Sequence, residues 1–558
     1  MMEDYKIPVG ISDFEEIRQN GYYYIDKTGL VEEILKTPAT KVTLITRPRR
    51  FGKTLGMSML ANFFDIEKDS RSLFQGLEIS KNKVLCEQWM NQYPTLFLSL
   101  KDISGNDFED AYERLCFAIA EFCIEHSYLC ESKKIEETYK EIFQKLKKSQ
   151  GSKTDIQNSL WVLMKMMQIY YGKSVILLLD EYDVPIAKAQ TNGYYKEMLD
   201  VVGAMLSKAL KDNQALQFAY ITGCLKISKE SIFTGTNNFV SDTISGERFN
   251  EYFGFTKDEV DQLLKDTNFL NYSEQVRSWY DGYHFGKIDV YCPWDVLCYV
   301  NKLMFEPDAK PENFWENTSH NDIIREFLGR QEFDVTDKFE MLLSGKEIKV
   351  KVEENLTYDN LTASEENLWS VLYLTGYLTS SDIKNETKDS YTYLKIPNKE
   401  VKDIFKKSVL QWFNETTTES DRTRLFQIMW AGKEEELTNM ISDLLFMTIS
   451  YHDYEESFYH AFLTGLFSYA GYVVESNKEN GLGRSDIVIK DKKNRRAVIF
   501  ECKIAKTYDK MKEKCEEALQ QIETMQYAKK IQMQGYREVI RYGICFWKKD
   551  CMVKISNE

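Results

Sequence analysis

Residues 42–54 read VTLITRPRRFGKT, and the fold of the N-terminal half turns on this stretch. VTLIT is a short apolar, β-branched run, which reads as a buried strand. FGKT then completes the end of the phosphate-binding pattern GxxxxGK[ST] through Gly52, Lys53 and Thr54, where a helix is expected to open. Gly52 lets the backbone approach a phosphate, Lys53 can reach the β- and γ-phosphates, and the Thr54 hydroxyl can ligate Mg²⁺. The helix N-terminus adds backbone N–H donors. Arg47 replaces the first glycine of the pattern. Arginine is less free to adopt positive φ, so a loop of different shape is expected. Pro48, Arg49, Arg50 and Phe51 complete the expected nucleotide loop with Arg47.

A second stretch raises the odds of a nucleotide site. Residues 173–185 read KSVILLLDEYDVP, a buried strand ending in Asp180 and Glu181. Ligands of open α/β sheets sit at the C-terminal ends of parallel strands. Asp180 is expected to hold Mg²⁺ and Glu181 to act as general base on the attacking water. A third strand, FAYITG, ends at Thr222, placed to sense the γ-phosphate. The strand Thr95–Leu100 lies between the two motifs in sequence. That suits the P-loop class (ASCE type) in which another strand separates them in the sheet. The strand candidates Val42–Thr46, Thr95–Leu100, Val175–Asp180 and Gln217–Thr222 alternate with helical patterns such as Asn106–His126 and Gly193–Lys211. This alternation predicts a parallel α/β sheet covered by helices.

Near the other end, GRSDIVI (483–489) and IFECKI (499–504) flank the polar stretch DKKNRR. A hairpin turning between Lys493 and Asn494 sets Asp486 opposite Glu501. Opposed residues share a face, as do residues two apart on a strand, so Asp486, Glu501 and Lys503 converge while Phe500 and Cys502 point into a core. Carboxylates on one buried face repel and are costly to desolvate. A divalent cation held by Asp486, Glu501 and a backbone carbonyl such as that of Cys502 resolves the conflict. It would activate water against a phosphodiester, with Lys503 orienting that water or stabilising the anion. Glu456 upstream and Gln521 downstream, each on a helix, are further candidates for this site. His460 reads as structural.

The bulk composition agrees with this division. A chain of 558 residues exceeds a single core, so several domains are expected. The expected layout is an α/β multidomain chain: nucleotide module 1–255, helical lid 256–332, helical and winged-helix-like region 333–448, and C-terminal module 449–558. No run of about 18 apolar residues predicts a membrane helix, and MMEDYKIPVGISDF does not read as a secretory signal. The eleven cysteines lack CxxC pairs, and Cys116, Cys123 and Cys130 recur at helical spacing, which reads as a buried face in a reduced, cytoplasmic protein. The net charge of −15 argues against a wholly basic nucleic-acid binder. Residues 451–558 nevertheless carry 19 Lys and Arg against 16 Asp and Glu, while the remainder carries 53 against 71. The C-terminal module is the more polyanion-facing part.

With these blocks in order, and with IPVGISDFEEIR, YYYIDKT, ITGCLKISKESIF, YFGFTKDEV, WYDGYHFG, YCPW, YLTGYLT, IPNKEV, ESFYHAFL and ALQQI between and around them, the chain resembles the bacterial and archaeal AAA-ATPase-like proteins that carry a C-terminal PD-(D/E)XK nuclease-superfamily domain. The resemblance covers nearly the whole chain. It implies that the arginine-rich loop is a family form. It also implies that Glu456, Asp486, Glu501, Lys503 and Gln521 fall on nuclease-superfamily positions. Cys292 and Ser457 depart from it, since asparagine is common at both. The expected function is an ATP-binding and ATP-hydrolysing protein that regulates a Mg²⁺- or Mn²⁺-dependent endonuclease, on DNA rather than RNA, in defence or mobile-element control. The alternative is a nucleotide-dependent switch whose nuclease-like domain only binds nucleic acid or a partner. By analogy with ring- and dimer-forming P-loop proteins, a homo-oligomer is expected, with Arg49 or Arg50 serving a neighbour's nucleotide.

Overall fold

The apolar runs become five strands: β1 (Val42–Thr46), β2 (Thr95–Ser99), β3 (Val175–Asp180), β4 (Leu216–Gly223) and β5 (Phe239–Asp242). All pair in parallel, in the order β2-β3-β4-β1-β5. The strand between the two motif strands is therefore β4, which carries Thr222, whereas β2 lies at the edge beyond β3. β5 was not anticipated from the sequence. The computed structural model describes residues 5–37, 39–226, 239–315, 335–356, 358–361, 363–381, 391–416, 419–448, 456–467, 472–480, 483–548 and 550–556.

Strand alternation explains the two layers around this sheet. Leu44, Leu177, Leu179 and Ile221 pack into one core with the helices Phe108–Glu125, Lys153–Tyr171 and Tyr195–Leu210. Ile45, Ile176, Leu178 and Tyr220 pack into another with Leu60, Phe63 and Phe64 of the helix Lys53–Phe64. Each such buried side chain contributes ~1.5–3 kcal/mol. Cys116 and Cys123 lie in the first core, and Cys130 packs against it. Every one of the eleven cysteines is a free thiol.

The chain forms two compact units. The first comprises Met1–Trp315 and Lys349–Glu400, the second Glu316–Ile348 and Val401–Glu558. The helices Lys257–Asp266, Ser273–Tyr280 and Pro293–Phe305 belong to the first unit and share a small core of Val260, Leu263, Val276, Tyr280, Val296 and Tyr299. Thr256 caps the first of them in a reciprocal box with Glu259. A short hairpin joins them, β6 (Tyr283–Phe285) with β7 (Ile288–Val290). β8 (Ile348–Lys351), β9 (Thr379–Ser380) and β10 (Tyr391–Lys395) form a three-stranded sheet in the order β8-β10-β9. The stretch 333–448 is thus no compact body of its own.

The second unit is built on β11 (Val473–Asn480), β12 (Gly483–Asp491), β13 (Arg496–Ile504), β14 (Glu538–Trp547) and β15 (Asp550–Ile555), paired in that order. Only β13–β14 is parallel. On one face, Ile487, Ile489, Phe500 and Cys502 meet Leu425, Met429, Leu437, Ile441 and Leu445 of the helices Glu419–Trp430 and Glu434–Thr448. On the other face, Val488, Ala497 and Ile499 meet Ile522, Tyr527 and Ile531. Those come from the helices Met511–Thr524 and Tyr527–Met533. Among the described residues, no helix is long and apolar enough to cross a membrane.

Candidate functional site

In the first unit, the loop between β1 and the helix Lys53–Phe64 needs two left-handed residues, Arg50 (φ 71°) and Gly52 (φ 81°). Nothing lies within 4 Å of where a Cβ on Gly52 would stand, so the glycine is required by its dihedral angle and not by space. Arg47, the expected point of strain, is not among the positive-φ residues. Its side chain is also not a phosphate contact, contrary to expectation. It is fully buried and paired with Asp242 at 2.5 Å, and it donates to Asn250 Oδ1 at 2.7 Å and to the carbonyls of Thr46, Asp242 and Arg248. Burial works against both charges of that pair, lowering Arg47 and raising Asp242. Arg47 is a brace that ties the loop to β5.

The remaining loop residues divide between packing and chemistry. Phe51 is buried edge-on against Tyr283 at 4.9 Å. Pro48 lies so close to Gly376 that a Cβ there would be 2.9 Å from its own. Both shape the loop through packing. Lys53 folds back over it, donating to the carbonyls of Arg47 (2.9 Å) and Pro48 (2.8 Å). Thr54 Oγ1 donates to Asp180 Oδ2 at 2.7 Å, and Thr222 Oγ1 donates to Asp180 Oδ1 at 2.5 Å. β3, β4 and the helix that follows β1 thereby meet on one buried carboxylate, which is what the order β3-β4-β1 permits.

Glu181 follows at φ 52°, a strained conformation for a non-glycine residue. Its carboxyl is pushed up by burial and by Asp180, against the pull of Lys53 and Arg49. Burial disfavours the Arg49 charge, but Cys224, Asp183 and Glu181 together push its pKa up. Arg49 is therefore at the same end of the sheet. Arg50 is engaged within its own chain: Nη1 donates to the Phe314 carbonyl at 2.6 Å, and the guanidinium lies 4.3 Å from the Trp294 ring centroid. Sequence reasoning passed over Asp183. Its Oδ2 accepts from the backbone N–H groups of Cys224 and Leu225, both at 3.0 Å, and so fixes the chain just after Thr222. Its place two residues after Glu181 was the available signal. An apolar recess of about 80 Å³ borders Gly52, Leu55, Pro8, Tyr24, Pro293 and Leu297.

In the second unit the hairpin register pairs Ile487 with Phe500 and Val488 with Ile499, which sets Asp486 next to Glu501 as the turn position predicts. Asp486 Oδ2 accepts the Cys502 N–H at 2.7 Å. Glu501 is 1% exposed; its Oε1 lies 3.4 Å from Lys503 Nζ and its Oε2 has no hydrogen-bond partner. Its pKa is raised to about 7 by burial and then by Asp486, against Lys503. Gln521 is hydrogen-bonded to Tyr527, whose hydroxyl is pushed up by burial and senses Glu501, Asp486 and Lys503. Tyr527 was not foreseen, and no sequence spacing marks it. Gly543 pairs with Glu501 across β13–β14, and a Cβ there would lie 2.3 Å from the Cys515 carbonyl oxygen. Glycine at that point lets the helix that carries Gln521 lie directly on the strand beside Glu501. Glu456 begins the helix Glu456–Phe467, but its side chain falls outside those described.

Among the described residues no group of three or more His, Cys, Asp or Glu forms a metal cluster. The two oxygen donors Asp486 and Glu501, one with an orphaned buried atom, fit a hard divalent cation completed by other ligands. In the first unit the hydroxyl of Thr54 and the carboxylate of Asp180 bring oxygen atoms together in the same way.

A family model described as predicted AAA-ATPase matches residues 8–233, and one described as PD-(D/E)XK nuclease superfamily matches residues 454–555. The chain is also similar to the "uncharacterized protein in vnfD 5'region" of Azotobacter chroococcum mcd 1, at 25% identity over 548 residues, 95% of this chain and 94% of that one. The parallel β2-β3-β4-β1-β5 sheet and the mixed C-terminal sheet are consistent with these two matches, and the chain carries an AAA-ATPase-like domain followed by a PD-(D/E)XK nuclease-superfamily domain.

Proposed function

We propose that the first unit binds and hydrolyses ATP and that the second cleaves nucleic acid, DNA in preference to RNA, under the control of that nucleotide. The observation that carries the first half is the meeting of Thr54 and Thr222 on Asp180, with Glu181 next in the chain. Lys53 exchanges its two carbonyl partners for β- and γ-phosphate oxygens. The apolar recess beside Gly52 and Leu55 receives the base. Glu181 takes the proton of the attacking water, and its raised pKa makes it a stronger base than an ordinary glutamate. Thr54 and Asp180 are the ligands for Mg²⁺.

In the second unit, Asp486 and Glu501 hold Mg²⁺ or Mn²⁺. When bound, the cation supplies a nucleophilic water near neutral pH and neutralises charge on the phosphodiester. Lys503 orients that water or steadies the developing anion, and Gln521, held by Tyr527, orients the substrate. The free thiols suit a reducing cytoplasm. A part in defence or mobile-element control follows from family type alone.

Plasmid nicking by the purified chain with Mg²⁺ or Mn²⁺, with and without ATP, tests the reading in wild type and Glu501→Ala. Nicking by wild type and none by the variant is expected. Binding of DNA without nicking would instead favour a nucleotide-dependent switch whose nuclease-like unit only binds.

A further inference from the structure

Beneath the nucleotide loop lies a buried acid pair with no assigned role. Asp295, in the first turn of the helix Pro293–Phe305, and Glu400 are both fully buried. Gly282, at φ 97°, makes the approach possible: a Cβ there would lie 2.2 Å from the Pro397 carbonyl oxygen. Asn398 Nδ2 reinforces the contact by donating to the Asp281 carbonyl at 2.9 Å. Glu400 Oε1 accepts the backbone N–H groups of Phe314 (2.6 Å) and Trp315 (2.9 Å). No amide or cationic donor reaches Glu400 Oε2 or either Asp295 oxygen. The two carboxyls instead lie close enough to act on each other, with the Cys292 thiol beside Asp295.

Two buried carboxyls this close do not both ionise, so one of them keeps its proton. Burial raises both carboxyls, but their interaction acts in opposite senses, holding Asp295 down and pushing Glu400 further up, which puts that proton on Glu400 at neutral pH. Arg50 is the cation whose charge acts on the one remaining negative group, Asp295, without an ion pair between them. The other titratable groups that feel this cluster are Cys292, Cys298, Tyr280 and Tyr283, all neutral at neutral pH because burial raises each of them. Arg50 is a left-handed residue of the phosphate loop, and its guanidinium grips the Phe314 carbonyl. Glu400 pins the same peptide segment from its N–H side.

We propose that Asp295 and Glu400 are positioning residues of the nucleotide site, with Asp295 as the counter-charge of Arg50 and Glu400 acting as a neutral, protonated acid that fixes the segment Arg50 holds. The inference rests on the nucleotide reading above. Its test is the affinity of the full chain for ATP in wild type, Asp295→Asn, Glu400→Gln and Glu400→Ala, each checked for thermal unfolding. Gln reproduces a protonated glutamate, so Glu400→Gln should recover the affinity that Glu400→Ala loses. Asp295→Asn should bind about tenfold more weakly, since it removes the buried carboxylate charge that acts on Arg50 through space. The gap between wild type and Asp295→Asn should close as the pH falls below neutral, where Asp295, raised by burial, takes up its proton.

Glu400→Gln behaving like Glu400→Ala, or Asp295→Asn binding ATP as wild type does at neutral pH, overturns the proposal. If Glu400→Ala does not fold, the other two variants still decide, because both keep the side-chain volume. A wild type that binds no ATP breaks the nucleotide reading itself, and the inference with it.

Discussion

Asp180 and Glu501 are both buried acids near the C-terminal ends of parallel-paired strands, yet their surroundings are opposite. Both Asp180 oxygens accept a threonine hydroxyl, and the neighbouring lysine is bound by carbonyls. Glu501 keeps an orphaned oxygen and a raised pKa beside a second carboxylate. The first site is satisfied by its own chain, so a ligand there must replace existing bonds. The second is left with a deficit of positive charge that a cation removes. A buried unsatisfied acceptor costs ~1–3 kcal/mol, which is stability given up for the site.

The sharpest way to break the comparison is at Glu181 of the first site. Glu181→Gln should bind ATP normally and hydrolyse it about 10²–10⁴-fold more slowly, since an amide cannot take the proton of water. Lys53→Ala should bind ATP about 100-fold more weakly, through loss of charge-assisted bonds. Equal affinity in that variant would remove Lys53 from the nucleotide site. Next in size is the brace. Asp242→Ala leaves Arg47 buried without its counter-charge and should lower the stability of the first unit by ~3–5 kcal/mol, read by denaturant unfolding. A loss under about 1 kcal/mol, the usual size for an exposed pair, would contradict the buried geometry.

How far these features were legible in the sequence follows from how local they are. The residue types of FGKT and LLLDE and the alternation of GRSDIVI and FECK announce themselves within a few positions. The turn at Lys493–Asn494 was enough to set the hairpin register. Arg47 was misread because its partners, Asp242 and Asn250, lie about 200 residues downstream, and no periodicity links them. The Asp295–Glu400 pair was invisible for the same reason, and Tyr527 carries no spacing that ties it to Gln521. β5 has only four residues and one buried side chain, too little pattern to mark a strand. The 333–448 stretch read as one region because helix follows strand there without a linker, although its residues are shared between two cores.

The charge deficit of the second site gives a smaller effect with a defined sign. Glu501 titrates at about 7 in the folded chain against an ordinary 4.5, so the folded state holds its proton longer. Stability then falls as the pH rises from 4.5 to about 7. Glu501→Gln cannot ionise and escapes this loss. In chelator it should be more stable than wild type by about 3 kcal/mol above that range, with no advantage below it. Mg²⁺ should narrow the gap by stabilising wild type alone. A variant less stable than wild type at alkaline pH without metal would mean that Glu501 is not under strain.

The smallest expected effect joins the two sites. Two sites in one chain need not communicate, because coupling requires a state that both bias. The region 256–449 contains no Gly/Ser-rich or Pro-rich tether, and a loose tether would pass nothing on. Trp315 and Glu400 are also the last residues of the first unit at two of the points where the chain passes to the second. Glu400 is bonded to the Trp315 N–H, and Arg50 of the phosphate loop to the adjoining Phe314 carbonyl. If the loop shifts on taking up ATP, as the proposed function requires, the Phe314–Trp315 segment is the part of its own unit that would shift with it. The expected outcome is a cleavage rate that differs by about 5- to 150-fold between nucleotide-free and ATP-bound protein, the range of a coupling of ~1–3 kcal/mol. Glu181→Gln should hold the ATP-bound rate. The measurement compares cleavage without nucleotide, with ATP and with a non-hydrolysable analogue. Equal rates in all three, in a chain that both cleaves and binds ATP, would mean that each site works alone.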